Sequence, residues 1–261
     1  MDAGRYSATP YLPIGITCLY ALLYYSIYLL FKFENFTPHI RDQMAEANSE
    51  DAVKSAIILI GGGSASGKTT IAQQLAKNLV LKYVSAQCIS MDNFYRSLSP
   101  DENGETFNWD DPSAYDVRAL VQCIEDWRAG RACWIPHHDF SQYKSVEKSK
   151  WVQPSQVMVI EGIHALSIGE LAQFADLKIY VHCDHDEALA RRITRDINER
   201  GYTLEIVLMR YFKYVKPALK EIIEPSQKNA DFIINNNNGA LEGGKAIELI
   251  ADALSNHSRL N

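Results

Sequence analysis

At 261 residues the chain has room for one large domain or two small ones, and a hydrophobic share of 47% is ample for a buried core and excludes disorder throughout. A net charge of −6, from 26 Lys and Arg against 32 Asp and Glu, excludes a general nucleic-acid binder, whose affinity for phosphate backbones rests on clustered cations; the expected partner is small. Cys18, Cys88, Cys123, Cys133 and Cys183 are scattered without a C-x-x-C spacing, so neither a disulfide framework nor a zinc site is implied, and reduced cytosolic thiols fit best.

No charged side chain lies between Arg5 and Lys32, and LPIGITCLYALLYYSIYLLF, from Leu12 to Phe31, is long enough to cross a bilayer as a helix. Residues 1–33 are therefore read as a hydrophobic N-terminal helix and a candidate membrane anchor. Pro13, Gly15 and the tyrosines lower its apolarity, and Tyr20, Tyr24 and Tyr28 share one helical face, as in an interfacial or partner-binding helix. A cleaved secretory signal fits poorly, because the apolar run is too long and no small-residue cleavage site follows. Lys32 and Arg41 after the segment, against Arg5 before it, slightly favour a cytoplasmic domain on its C-terminal side. Residues 34–55 turn polar and acidic and read as a linker; the folded domain is expected over 56–255, with 256–261 as a tail.

From Ala56 the chain reads AIILIGGGSASGKTT, an apolar, β-branched strand running into Gly62-x4-Gly67-Lys68-Thr69, which fits the P-loop pattern G-x-x-x-x-G-K-S/T. The glycines let successive N–H groups face inward, a helix beginning near Lys68 aims its positive end at the same point, and Lys68 adds a mobile charge. Gly62, Gly63, Ser64, Ala65, Ser66, Gly67, Lys68, Thr69 and Thr70 are the expected phosphate holders. TIAQQLAKNLV follows with Ile71, Leu75 and Leu79 at helical spacing. QCISMDNFY is a short strand with Asp92 just beyond it, and in an open parallel sheet that places Asp92 on the ligand edge beside the P-loop. An amphipathic helix is expected from Ala114 to Arg128, ending at Gly130. CWIPHHDF and SVEKSKWVQ read as a small paired hairpin able to cover a pocket. QVMVIEG is a second apolar strand with Glu161 at its carboxyl end, the position from which an acid holds Mg²⁺ opposite the Thr69 hydroxyl.

DLKIYVHC is a third core strand. The helix after it is expected to open on a capping box of Asp184 and Glu187, and it carries Arg192, Arg195 and Arg200. Such arginines usually form a solvated face with Asp196 and Glu199, and beside a P-loop they also fit a cationic lid. A helix from Leu204 to Val215, a break at Pro217, the strand NADFIIN, a turn over Asn235 to Asn238 and a closing helix GALEGGKAIELIADAL complete the chain. Strands alternating with helices predict a three-layer α/β fold of the P-loop NTPase kind with a mainly parallel sheet, a β-hairpin cover and an arginine-rich helical lid. An acid after the second strand and a late arginine-rich segment favour phosphoryl transfer to a small acceptor.

The blocks GGSASGKTT, SMDNFYRSL, FNWDDPSAYD, IPHHDF, VIEGIHAL, LARRITRDINERG and YVKPALKEIIEPSQKNADFII, from about Ala56 to Leu254, resemble those of the uridine-cytidine kinase family in kind and order. The resemblance implies phosphorylation of the 5′-hydroxyl of uridine or cytidine by ATP or GTP with Mg²⁺, a cytoplasmic kinase domain, and a homo-oligomer such as a tetramer. It implies Asp92 as base, Thr69 and Glu161 at Mg²⁺, Tyr95 and Trp109 bordering the nucleoside, Asp110 and Arg192 on the ribose hydroxyls, and Arg195 and Arg200 on phosphates. The departures lie around the base: His138 stands where the family typically has Tyr, Tyr143 where it has His, and Tyr202 where an Arg often follows the lid glycine. Both exchanged types can donate a hydrogen bond to a pyrimidine edge. Other small-molecule kinases of the fold (nicotinamide riboside, pantothenate or phosphoribulose kinases) and a membrane-tethered nucleotide binder with lapsed catalysis remain as alternatives.

Overall fold

The structure, a computed structural model, describes residues 56–140, 142–237 and 240–259. The N-terminal hydrophobic segment and the linker expected over 34–55 lie outside the described residues; among those described, no helix is long and apolar enough to cross a membrane.

β1 (Ala56–Gly62) leads through the glycine-rich loop into α1 (Lys68–Leu81) and then β2 (Ala86–Ser90), which ends in a 3-10 turn, Met91–Phe94. α2 (Val117–Arg128) precedes the antiparallel hairpin β3 (Cys133–Asp139) and β4 (Lys144–Val152), which forms its own two-stranded sheet. β5 (Val157–Glu161), β6 (Leu177–His182) and β7 (Phe232–Asn235) complete a five-stranded sheet of order β2-β5-β1-β6-β7, parallel at every pairing. Between β6 and β7 run α3 (His185–Asn198) and α4 (Leu204–Arg210), and α5 (Ala240–Arg259) closes the chain.

The sheet is buried on both faces, so its central strands are continuously apolar instead of alternating. On one side Ile57, Leu59, Met158 and Ile160 join Leu120, Cys123, Ile124 and Trp127 of α2 in a single cluster. On the other, α1 packs on β1, β2 and β5, and α5 packs on α1. α5 runs past the expected domain end at 255, its buried residues Ile247, Ile250, Ala251 and Ser255 keeping helical spacing.

Three local expectations are corrected. The helix expected from Ala114 starts at Val117, because Pro112–Ala114 form a separate 3-10 turn and Asp116 accepts from the Ala119 N–H as the N-cap. No capping box opens α3: Asp184 makes no side-chain cap bond, its carboxylate lies 3.3 Å from His182 Nε2, and Glu187 instead pairs with Arg191 at 2.7 Å. Nor does the chain break at Pro217. α4 continues through π-helical turns Tyr211–Val215 and Leu219–Ile223, with Lys216–Ala218 helical between them. A proline lacks the N–H that an α-helical ladder demands and clashes with the carbonyl four residues back; the widened π turn just before it, where the Lys216 N–H bonds to Tyr211 O, relaxes that demand.

Candidate active site

The carboxyl ends of β1, β2 and β5 lie level. Ile60 registers with Glu161, which registers with Ser90, so the glycine-rich loop, Glu161 and the turn carrying Asp92 share one edge of the sheet. Gly62 sits at φ 145°, and a Cβ there would meet Val181 O at 2.4 Å, so only glycine fits where the chain leaves the strand. Gly67, at φ 93°, stands at the N-terminus of α1, which has no side-chain cap and no acid in its first turn. Its leading N–H groups are thus free for an anion. Lys68 is buried, and its ammonium donates to Gly63 O at 3.1 Å; burial holds its pKa below the usual lysine range against the pull of Glu161 and Asp92.

Asp92 follows β2 in the 3-10 turn, where its N–H donates to Ser90 Oγ at 3.3 Å, so Ser90 and not Asp92 does the capping and the Asp92 carboxylate is left to line the cleft. Glu161 is 3% exposed, and burial pushes its carboxyl upward while Lys68 and the Ser90 and Thr69 hydroxyls favour its charged form. Among the described residues no three His, Cys, Asp or Glu gather as a metal cage. Thr69 and Glu161 are oxygen donors of the kind Mg²⁺ takes when phosphate oxygens and waters complete its shell, so the residues fit a nucleotide-borne Mg²⁺.

Two cavities meet here. The first is lined by Ser64, Lys68, Thr69, Asp92, Glu161, Asp110, Arg192, Arg195, Arg200 and Arg210, with Tyr95, Phe107, Trp109, Phe140, Tyr143, Tyr202 and Tyr214 as its aromatic lining. Ala65, Gly67, Thr70, Gln74, Arg191 and Asn236 line the second, which shares Lys68, Thr69 and Arg195 with the first. Asp110 is set by His164, a fully buried residue whose Nε2 lies 2.7 Å from Asp110 O and whose Nδ1 lies 2.8 Å from Ser167 Oγ. Burial pushes the Asp110 carboxyl up, and Arg192 opposes it.

In the aromatic lining Trp109 meets Tyr95 edge-on at 5.3 Å between centroids and stacks on Tyr143 at 5.9 Å. The Tyr95 hydroxyl accepts from Tyr115 at 2.8 Å, and Trp109 Nε1 donates to Gly104 O at 3.0 Å. Tyr143 lines the cleft as expected, but His138 does not. A register shift between Ile135 and His137 reverses the alternation of β3, so that His137 is exposed and His138 turns inward, where it is 1% exposed behind Tyr95, Trp109 and Phe140 and neither ring nitrogen has a well-formed hydrogen bond. Burial lowers its pKa and so favours the neutral ring.

The three arginines, Arg192 buried and Arg195 and Arg200 partly exposed, converge on one acid. Asp196 is 1% exposed and lies 2.9 Å from Arg195, 3.3 Å from Arg200 and 3.3 Å from Arg192 Nε. The Arg192 contact is a charge contact off the line of its N–H, since Nε has no hydrogen-bond acceptor. Arg192 also donates to Ser64 Oγ at 2.7 Å, tying α3 to the glycine-rich loop, and Arg200 lies over the Phe140 ring at 5.5 Å.

Sequence reasoning missed several residues of this site. Arg210 donates to Glu105 O at 3.0 Å, and the Tyr214 hydroxyl donates to Thr106 O, so α4 and its π turn close one wall of the first cavity; their four-residue spacing was a usable sign. Asn236 gave no sign beyond its place in an asparagine run.

Residues 57–240 match the model of the phosphoribulokinase/uridine kinase family. The uridine-cytidine kinase A of Dictyostelium discoideum is 38% identical over 214 residues, 82% of this chain but only 41% of that protein's length. The uridine kinase of Macrococcus caseolyticus is 40% identical over 184 residues, covering 69% of this chain and 88% of the relative. Among solved structures, D-glycerate 3-kinase of Cryptococcus neoformans superposes with a TM-score of 0.54 at 15% identity, over 78% of this chain and 93% of that one, a likeness of fold alone.

Proposed function

We propose, from the premise that this chain belongs to the phosphoribulokinase/uridine kinase family, that it transfers the γ-phosphoryl group of ATP or GTP to the 5′-hydroxyl of uridine or cytidine, yielding UMP or CMP. The observation that carries the reading is the pair of cavities joined at Lys68, Thr69 and Arg195, with Asp92 and Glu161 in the first. One cavity takes the nucleotide through the loop amides and the α1 N-terminus; the other takes a planar, hydroxyl-bearing acceptor between aromatic rings.

In this reading the nucleoside base lies among Tyr95, Trp109 and Tyr143, while Asp110 and Arg192 take the ribose hydroxyls. A carboxylate bridging both hydroxyls selects ribose, because a deoxyribose leaves an acceptor unpaired. Asp92 accepts the proton of the 5′-hydroxyl as its oxygen bonds to phosphorus and the bond to the β-phosphate oxygen breaks. Lys68, Arg195 and Arg200 neutralise the charge on the moving group. Thr69 and Glu161 would hold Mg²⁺, which would supply further neutralisation of the phosphate oxygens. The residues 1–33 serve as a membrane tether, and the active form is a homo-oligomer; recovery of the full chain in the carbonate-soluble fraction would refute the tether.

The deciding experiment is a coupled assay of the full chain with ATP, Mg²⁺ and a panel of uridine, cytidine, nicotinamide riboside, pantothenate and ribulose 5-phosphate. Turnover of uridine or cytidine is expected, and no product from either sinks the reading.

A further inference from the structure

The loop that holds phosphate is braced by a residue from the far end of the chain. Asn236, 6% exposed, follows β7, and its side-chain Nδ2 donates to the backbone carbonyl of Ser66 at 2.7 Å. It approaches so closely that a Cβ on Gly67 would lie 2.2 Å from that nitrogen. Asn236 is itself held: its N–H donates to His182 O at 2.9 Å, and Arg191 donates to the carbonyls of Asn236 and Asn237, each at 2.9 Å. Asn237 Oδ1 takes the Asp184 N–H at 2.8 Å. The asparagine run read from sequence as a simple turn is thus a clamp between the loop, the end of β6 and the start of α3.

We propose that Asn236 is a positioning residue that aims the Gly67 amide into the phosphate cradle. In a trans peptide the C=O and the following N–H point in opposite directions. Fixing the Ser66 carbonyl on Asn236 therefore turns the Gly67 N–H the other way, toward the loop's interior. Gly67 has no Cβ to oppose rotation of this peptide, so the residue that permits the left-handed turn also permits the flip that would aim a carbonyl at the phosphates. The hydrogen bond to Asn236 removes that freedom, and it does so on the wall of the second cavity, which Gly67 and Asn236 both line.

The inference rests on the nucleotide occupying that cavity, and its test keeps the two apart. ADP binding is measured by calorimetry, and KM for ATP and for uridine by the coupled assay, on the full chain and on Asn236→Ala and Asn236→Asp. Asn236→Ala is expected to weaken ADP and raise KM for ATP about tenfold, the worth of one buried hydrogen bond, with KM for uridine within twofold. Asn236→Asp, which sets a carboxylate against a carbonyl, is expected to do more; if it fails to fold, the alanine variant alone decides. Unchanged ADP affinity in Asn236→Ala, or an equal rise in both KM values, overturns the positioning role. Absence of ADP binding by the unaltered chain overturns the functional reading and this inference with it.

Discussion

Replacing Asp196 with asparagine removes the shared counter-charge of three guanidiniums while keeping the side chain's shape. The Arg192 side chain is 10% exposed and that of Asp196 1%, so this contact is buried, and losing its acid costs about 3–5 kcal/mol. Arg195 and Arg200 are 30% and 34% exposed, where solvent screening limits each contact to about 0–1 kcal/mol. Asparagine can still accept from Arg195 Nε, which donates to Asp196 Oδ1 at 2.9 Å, so the expected loss lies near the lower bound, about 3 kcal/mol. At about 2–4 °C per kcal/mol for a domain of this size, the melting temperature of Asp196→Asn should fall by about 6–12 °C. Bound nucleotide offers its own negative charge to the released arginines, so saturating ADP should narrow the gap between variant and parent. Thermal melts with and without ADP measure both quantities. A fall of under about 2 °C would show that the acid carries little of this balance, and an equal fall in both conditions would show that the arginines do not pass from Asp196 to phosphate.

Asp92→Asn should lower kcat by about 10²–10⁴-fold while leaving ADP affinity intact, measured by the coupled assay and calorimetry; an unchanged kcat removes Asp92 from the chemistry. Trp127→Ala should cost about 3–5 kcal/mol of unfolding free energy by denaturant titration, because Trp127 is 1% exposed and its indole N–H donates to Ser155 O at 3.2 Å. A cost under about 1 kcal/mol would mean the α2 face of the core collapses to fill the space.

What could be read from the chain alone was whatever the backbone demands directly. Glycines at 62 and 67 announce positive φ, and fully apolar strands announce a sheet covered on both faces. Once the strands are parallel, their register alone brings Asp92 and Glu161 to the loop's edge. What could not be read depended on how one element covers another. The arginines of α3 could be read as a solvated face or as a lid, because helical spacing says nothing about what packs above the helix; the buried Asp196 gathers them on one acid. His138 and Tyr143 are near neighbours in sequence, but a register shift in β3, which no period-2 pattern announces, sends one into the wall, and the hairpin turn brings the other to the cleft. Pro217 reads as a break in any α-helical pattern, and the π turns that accommodate it have no periodicity of their own to detect. Asn236 acts across 170 positions of chain, beyond the reach of any local pattern.

The cleft's charge also bears on how fast it fills. The chain as a whole carries −6, yet the first cavity is lined by five cations, Lys68, Arg192, Arg195, Arg200 and Arg210, against three acids, Asp92, Asp110 and Glu161. An anionic nucleotide thus meets a molecule of net negative charge whose cleft is lined by an excess of cations, and low-dielectric walls focus that local field. Attraction of this kind acts on the encounter and reaches only about 10 Å at 0.1 M salt. The bimolecular association rate of ATP should therefore fall steeply with ionic strength, while the dissociation rate, set by contacts already made inside the cradle, changes little.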